Sequence, residues 1–199
     1  MELFSSAVIQ VAIAALIPFI WWAFTARKET TFFHWIGFQW FKPTPSIWLW
    51  IVGALLLLAV PFLLLSSRLG GEATATQAFA GKGAAAIPDI AIFAIIQTGL
   101  SEELFFRGFL AKRCIARFGL QTGNSIQATI FGLLHLVMVY AILPDTLIAL
   151  GVGFATMLGA LVMAYVNESL ADGSILPSWI IHASGNLLAG LAAAFNLFS

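Results

Sequence analysis

The stretch GLSEELFFRGFL, Gly99 to Leu110, sets two adjacent carboxylates and an arginine inside a chain that is otherwise almost uncharged. Of the 199 residues, 61% are hydrophobic and only 9% charged, with a mean hydropathy of +0.98. Soluble domains carry about 25% charged residues, whereas long apolar runs with few charges mark membrane-spanning helices. An apolar run leads into this stretch from Asp89 and ends just past it at Ala111, so it reads as part of a membrane helix carrying buried charge. Each ionisable group near the centre of such a helix costs about 2.5 to 3.5 kcal/mol on insertion scales, and three together demand pairing and a purpose.

Working outward, six apolar stretches are long enough to cross, given that a crossing needs about 20 mostly apolar residues. They run from Ala7 to Thr25, Ile47 to Leu65, Asp89 to Ala111, Asn124 to Ile142, Asp145 to Val166, and Pro177 to Phe198. The fourth and fifth join through Leu143, Pro144 and Asp145 and predict an antiparallel hairpin. The connector RKETTFFHWIGFQWFKPTP, dense in Trp and Phe but broken by polar residues, suits a segment lying at headgroup level. SSRLGGEATATQAFAGKGAAAIP, rich in Gly, Ala and Thr, reads as a mobile loop. The expected fold is an all-α polytopic transmembrane bundle of about six spanning helices plus an interfacial aromatic segment, with residues 1–199 forming one membrane domain.

A net charge of zero offers no basic or acidic tail for nucleic acid, so the bilayer is the expected main partner. Cys114, the single cysteine, forms no internal disulfide and has no metal or redox spacing around it. The opening MELFSSAVIQ lacks the basic region and cleavage site of a secretory signal and reads as part of the first spanning helix. Arg27, Lys28, Lys42, Lys112, Arg113 and Arg117 fall in the first and third connectors, against Arg68 and Lys82 in the second. The positive-inside rule therefore predicts a multi-pass protein of the cell membrane with both termini outside.

Three polar constellations stand out. Glu103 and Arg107 are four apart, with the acid N-terminal to the base, the favourable order for an ion pair on one helical face. Glu102, about 100° round the helix, is then the surplus acid and the candidate general base. The alternative is a structural ion-pair cluster at a helix interface. In FGLLH, Phe131 and His135 share a face, and His135 needs a partner from a neighbouring helix, Glu102 being the obvious one. In HASGN, His182 and Asn186 align across small residues. Asn186 brings an uncharged amide donor of the kind that holds an oxyanion, or else serves with His182 as packing glue.

In the predicted topology Glu102 and His182 lie in the cytoplasmic half and His135 near mid-membrane. They could then line one pocket opening to the cytoplasm, wide enough for a peptide with a lipid-like group. His34 falls in the aromatic connector, outside this set. Glu2, Glu29, Glu72, Asp89, Asp145, Glu168 and Asp172 fall at ends or in loops and read as solvated.

Taken in order, EELFFR, FGLLH and HASGN resemble the CAAX protease and bacteriocin-processing family, also called Abi. The resemblance spans Glu102 to Asn186 and implies an intramembrane endopeptidase related to the enzyme that trims prenylated proteins, with a catalytic core over about 89–198. It implies that Glu102 with His135 activates a water and that His182 and Asn186 line the site and stabilise the oxyanion. Glu103 and Arg107, with Phe131 as a wall, would hold that geometry. Ser184 stands two residues from His182, off its face, which disfavours a serine mechanism.

The favoured reading has no cofactor. The alternative is zinc on Glu102, His135 and His182, since two imidazoles and a carboxylate plus water make a catalytic zinc site, although HExxH is absent. Expected partners are a peptide or lipidated-peptide substrate, membrane lipid and a membrane protein partner. The short length suits peptide maturation, bacteriocin processing or immunity ahead of prenyl processing. Two other functions compete: a non-proteolytic scaffold of the same family, and a proton-relaying transporter, which the lack of a repeat disfavours.

Overall fold

The computed structural model describes residues 2–69 and 76–197, and these are helical with no strand among them. In order the helices are α1 (Glu2–Thr25), α2 (Phe32–Trp35), α3 (Pro45–Leu69), α4 (Gly83–Phe118), α5 (Leu120–Ile142), α6 (Thr146–Leu170) and α7 (Leu176–Ala194). Each of the six expected stretches falls on one long helix; the last expected boundary, Phe198, lies outside the described residues. Among the described residues α1, α4, α5 and α6 are long and apolar enough to cross a membrane. The protein is therefore a helical membrane bundle. In α7 the polar Ser178, His182, Ser184 and Asn186 dilute the apolar run, which is why it falls short of that standard.

Helix α4 runs through the middle of the bundle, against α1, α5 and α7. It opens as a 3-10 turn at Gly83–Ala86 and is π-helical over Ile92–Leu100 and Leu104–Ala111. A π turn aligns residues five apart, and such turns concentrate at functional sites. Thr98 shows the altered period directly, its Oγ1 donating to the carbonyl of Phe93 at 2.9 Å. Trp179 of α7 donates from Nε1 to the carbonyl of Ile95 in the same segment at 2.8 Å, tying the two helices together. On the other side Gln10 and Ser101 join α1 to α4 at 3.3 Å.

The predicted hairpin is α5 and α6. Asp145 caps α6, its side chain accepting from the backbone N–H groups of Leu147 and Ile148 at 2.9 and 3.1 Å. The helices touch at Gly132 and Gly153: a Cβ on Gly132 would stand 2.6 Å from the Gly153 carbonyl oxygen. Small residues permit this backbone approach, as in membrane helix pairs generally. On its outer side α6 packs with α3 and α7 around Ile47, Ile51, Met163, Val166 and Ile181.

Both unusual connectors do more than their composition predicts. Ile36, just after α2, is wholly buried, and a Cβ on Gly108 of α4 would come within 2.4 Å of it. The backbone N–H of Ile175 donates to Gly37 at 2.9 Å, Ser174 donates to the Gln39 carbonyl at 2.6 Å, and Gln39 donates to the Asp172 carbonyl at 3.1 Å. The aromatic connector is thus stapled over the α6–α7 loop, with Phe33 and Trp40 left exposed. Residues 70–75 of the second connector lie outside the described residues. From Thr76 onward it forms short 3-10 turns, and Phe79 is buried against Ile90, Phe93 and Ala194 instead of lying in a free loop.

Glu168 also departs from expectation. Rather than being solvated, it pairs with Lys112 at 2.7 Å, and the same ammonium donates to the Gly173 carbonyl at 2.7 Å. The end of α6 faces the end of α4, and the two charges meet there, each partly buried. Together these contacts gather the first, third and fifth connectors at one end of the bundle.

Candidate active site

Three helices bring the polar constellations together. From α4 come Glu102, Glu103 and Arg107, from α5 Phe131 and His135, and from α7 His182 and Asn186. The pair expected from spacing is present: Arg107 Nη1 lies 3.1 Å from Glu103 Oε1, and both side chains are wholly buried. Phe131 lies against the same guanidinium, whose Cζ stands 4.4 Å from the ring centroid. A cation over an aromatic face is a favourable contact in a desolvated setting. Phe106 packs edge-on to Phe131 and fixes that ring in turn.

Glu103 has a second partner across the helix interface. His182 Nδ1 lies 2.9 Å from Glu103 Oε1, and because a carboxylate only accepts, the imidazole donates from Nδ1. That fixes the tautomer and leaves the Nε2 lone pair for other work. Nε2 stands 3.9 Å from Glu102 Oε2. This is too long for a direct hydrogen bond and suits one bridging water. Glu102 keeps 26% side-chain exposure where Glu103 has none, so one acid is reachable and the other is locked.

His135 differs from expectation in its partner. Its Nδ1 donates to the carbonyl of Phe131 on its own helix at 2.9 Å, rather than to Glu102. Its ring lies tilted against Phe131, with centroids 4.3 Å apart, and stands within electrostatic reach of Glu102, His182 and Arg107. As with His182, the Nε2 lone pair remains. Asn186 donates from Nδ2 to Thr98 Oγ1 at 2.8 Å. Among the described residues, no three His, Cys, Asp or Glu side chains gather closely enough to hold a metal ion.

Three residues of this neighbourhood escape sequence reasoning. Thr98 looks like an incidental hydroxyl in an apolar run, and only the π winding turns it toward Asn186. Asn167, wholly buried at the end of α6, donates from Nδ2 to Ser178 Oγ at 2.7 Å and accepts from the Ser178 N–H at 3.2 Å. It thereby caps the first turn of α7, whose leading N–H groups have no partner within the helix. Ser178 lies one turn before His182 and beside the Glu103 carboxylate. The visible signal was the polar pair Ser178 and His182 at a spacing of four. His34 is exposed in the aromatic connector and takes no part.

The geometry can be set beside known proteins. A family profile, type II CAAX prenyl endopeptidase Rce1-like, matches residues 84–188, more than half of the chain. The chain belongs to the Rce1-like family. No curated protein matches, and no solved structure matches. The matched span holds every side chain that meets in the candidate site, from Thr98 to Asn186, and covers all but the first residue of α4, α5, α6 and most of α7. Rce1-like proteins are intramembrane CAAX-type proteases acting on peptide or prenylated protein substrates in membranes. Family membership thus makes this chain a membrane hydrolase of that kind, as the ordered motifs led us to expect.

Proposed function

We propose that the protein is an endopeptidase whose catalytic base is Glu102, acting on a water held between Glu102 and His182. One observation carries this reading: His182 is fixed through Nδ1 by the buried Glu103–Arg107 pair, with Nε2 left 3.9 Å from the accessible acid. The water donates one proton to Glu102 and the other to the imidazole, which turns its oxygen lone pair toward a substrate carbonyl. Attack delivers the first proton to Glu102, which returns it to the leaving amine, the usual double duty of a general base. Asn186 gives an N–H to the oxyanion, a contact that strengthens as charge develops. His135 walls the site from α5, its Nε2 an alternative acceptor for the water's second hydrogen.

Glu103, Arg107 and Phe131 are proposed to hold His182 in place, and the core so defined runs over about 89–198. The substrate is a peptide, with or without a lipid, in peptide maturation, bacteriocin processing or immunity. The bundle end that gathers the first, third and fifth connectors carries six basic residues, Arg27, Lys28, Lys42, Lys112, Arg113 and Arg117, which favours placing it in the cytoplasm.

The test is cleavage of a panel of quenched fluorescent peptides, farnesylated and plain, in sealed vesicles of both orientations and with strong chelator. A glutamate protease opening to the cytoplasm cleaves in inverted vesicles and keeps its rate in chelator. Loss in chelator restored by zinc would replace the glutamate mechanism by a metal one on Glu102, His135 and His182. Cleavage only in right-side-out vesicles would invert the topology.

A further inference from the structure

We infer that Thr98 is a positioning residue that sets which end of the Asn186 amide faces the substrate. The inference rests on the reading of Asn186 as the oxyanion donor and goes one contact further.

The winding of α4 decides where the Thr98 hydroxyl points. In an α-helix a threonine hydroxyl typically bonds back to the carbonyl four residues earlier. Over Ile92–Leu100 the helix is π-wound, and Thr98 bonds instead to Phe93, five residues back, at 2.9 Å. A hydroxyl has one proton, and a carbonyl can only accept it. Toward α7, therefore, Thr98 Oγ1 can act only as an acceptor. The Asn186 side chain meets it there at 2.8 Å and must present Nδ2, because its carbonyl end would set two acceptors against each other. The orientation of an amide is often a matter of choice between near-equivalent atoms; here the Phe93 carbonyl dictates it.

Nδ2 has two hydrogens. One goes to Thr98, and the other stays on the nitrogen for a ligand. A flipped Asn186 would offer a carbonyl dipole of the wrong sign to a developing oxyanion. The Trp179–Ile95 bond, on the same π segment, holds α7 in the register that lets the contact form. Thr98 thus converts a local change in helix period into the polarity of a group on another helix.

The test uses Thr98→Val, which keeps the side-chain volume and removes the hydroxyl, and Thr98→Ser, which keeps the hydroxyl. Loss of an oxyanion donor costs about 100- to 1000-fold in kcat, and misorientation should cost part of that. We expect kcat to fall about 10- to 100-fold in Thr98→Val at unchanged KM, with Thr98→Ser restoring most of it. In an Asn186→Ala background Thr98→Val should add nothing, since coupled residues are non-additive. A wild-type rate in Thr98→Val, failure of Thr98→Ser to rescue, or a full extra loss in the Asn186→Ala background would overturn the inference. The side-chain amide NMR resonances of Asn186 report on the same contact without substrate. Thr98→Val should shift them and Thr98→Ser leave them in place; resonances unmoved by Thr98→Val would overturn the positioning role even in a protein that cleaves nothing. Absence of cleavage by the wild type would by contrast count against the protease reading alone.

Discussion

Between α5 and α6, Asn124 and Gln127 donate to the backbone carbonyls of Leu161 and Ala160 at 2.9 and 3.1 Å, and Gln127 also to Asn124 at 2.8 Å. Between α4 and α7, Trp179 likewise closes onto the Ile95 carbonyl, but the ionisable and amide groups bond to side chains: His182 to Glu103 and Asn186 to Thr98. Both interfaces bury polar groups in an apolar bundle, but they leave different atoms over. Among the described residues, the buried atom without a hydrogen bond in the first pair is the neutral carbonyl oxygen of Gln127; around α4 the set includes charged atoms, one carboxylate oxygen each of Glu102 and Glu103 and the guanidinium nitrogens of Arg107, besides the amide oxygen of Gln97. A buried carboxylate oxygen without a donor is far more costly than an amide oxygen, so its persistence calls for a use. Polar side chains that close onto a neighbour's backbone act as glue. Those that end on one another, with an acid left over, make a site.

The largest break in this comparison comes from Arg107→Ala. Removing one partner of a buried ion pair leaves an uncompensated charge and costs about 3 to 5 kcal/mol. We expect denaturant unfolding in detergent to show a loss of that order, with cleavage falling alongside; unchanged unfolding would mean that Glu103 does not depend on Arg107. A smaller effect separates glue from chemistry. Asn124→Ala removes an interhelical hydrogen bond, worth about 0.6 kcal/mol on average and up to about 1.7 within membranes. Unfolding should shift by that little while cleavage per folded molecule stays the same, and a large drop in turnover would make the α5–α6 interface part of the site.

Much of this was legible because helices repeat. The apolar stretches are long enough to declare themselves, and the spacings of Glu103 to Arg107 and of Phe131 to His135 place each pair on one face whatever the tertiary fold. The partner of His182 was not legible. Two adjacent glutamates differ by only 100° of rotation, and which of them reaches α7 depends on the winding of α4. The assignment of Glu102 to His135 likewise overlooked that the imidazole could satisfy Nδ1 on its own helix. Thr98 stayed hidden because a period of 3.6 points it elsewhere, and Asn167 because a polar residue near a helix end looks solvated until the next helix folds back on it. Phe79 and Ile36 were lost in connectors whose composition gives no hint that a single side chain plugs the bundle.

The central claim is that Glu102, and not the locked Glu103, is the working acid. It is tested most directly by measuring peptide cleavage and thermal unfolding on the same preparation of Glu102→Gln. The substitution keeps volume and hydrogen-bonding capacity but removes the base. General-base catalysis typically contributes about 100- to 10,000-fold, so cleavage should drop by that order while the unfolding temperature holds near the wild-type value. Cleavage at the wild-type rate by well-folded Glu102→Gln would contradict the account, and a biological activity that persists in that variant would leave a non-proteolytic scaffold as the better description.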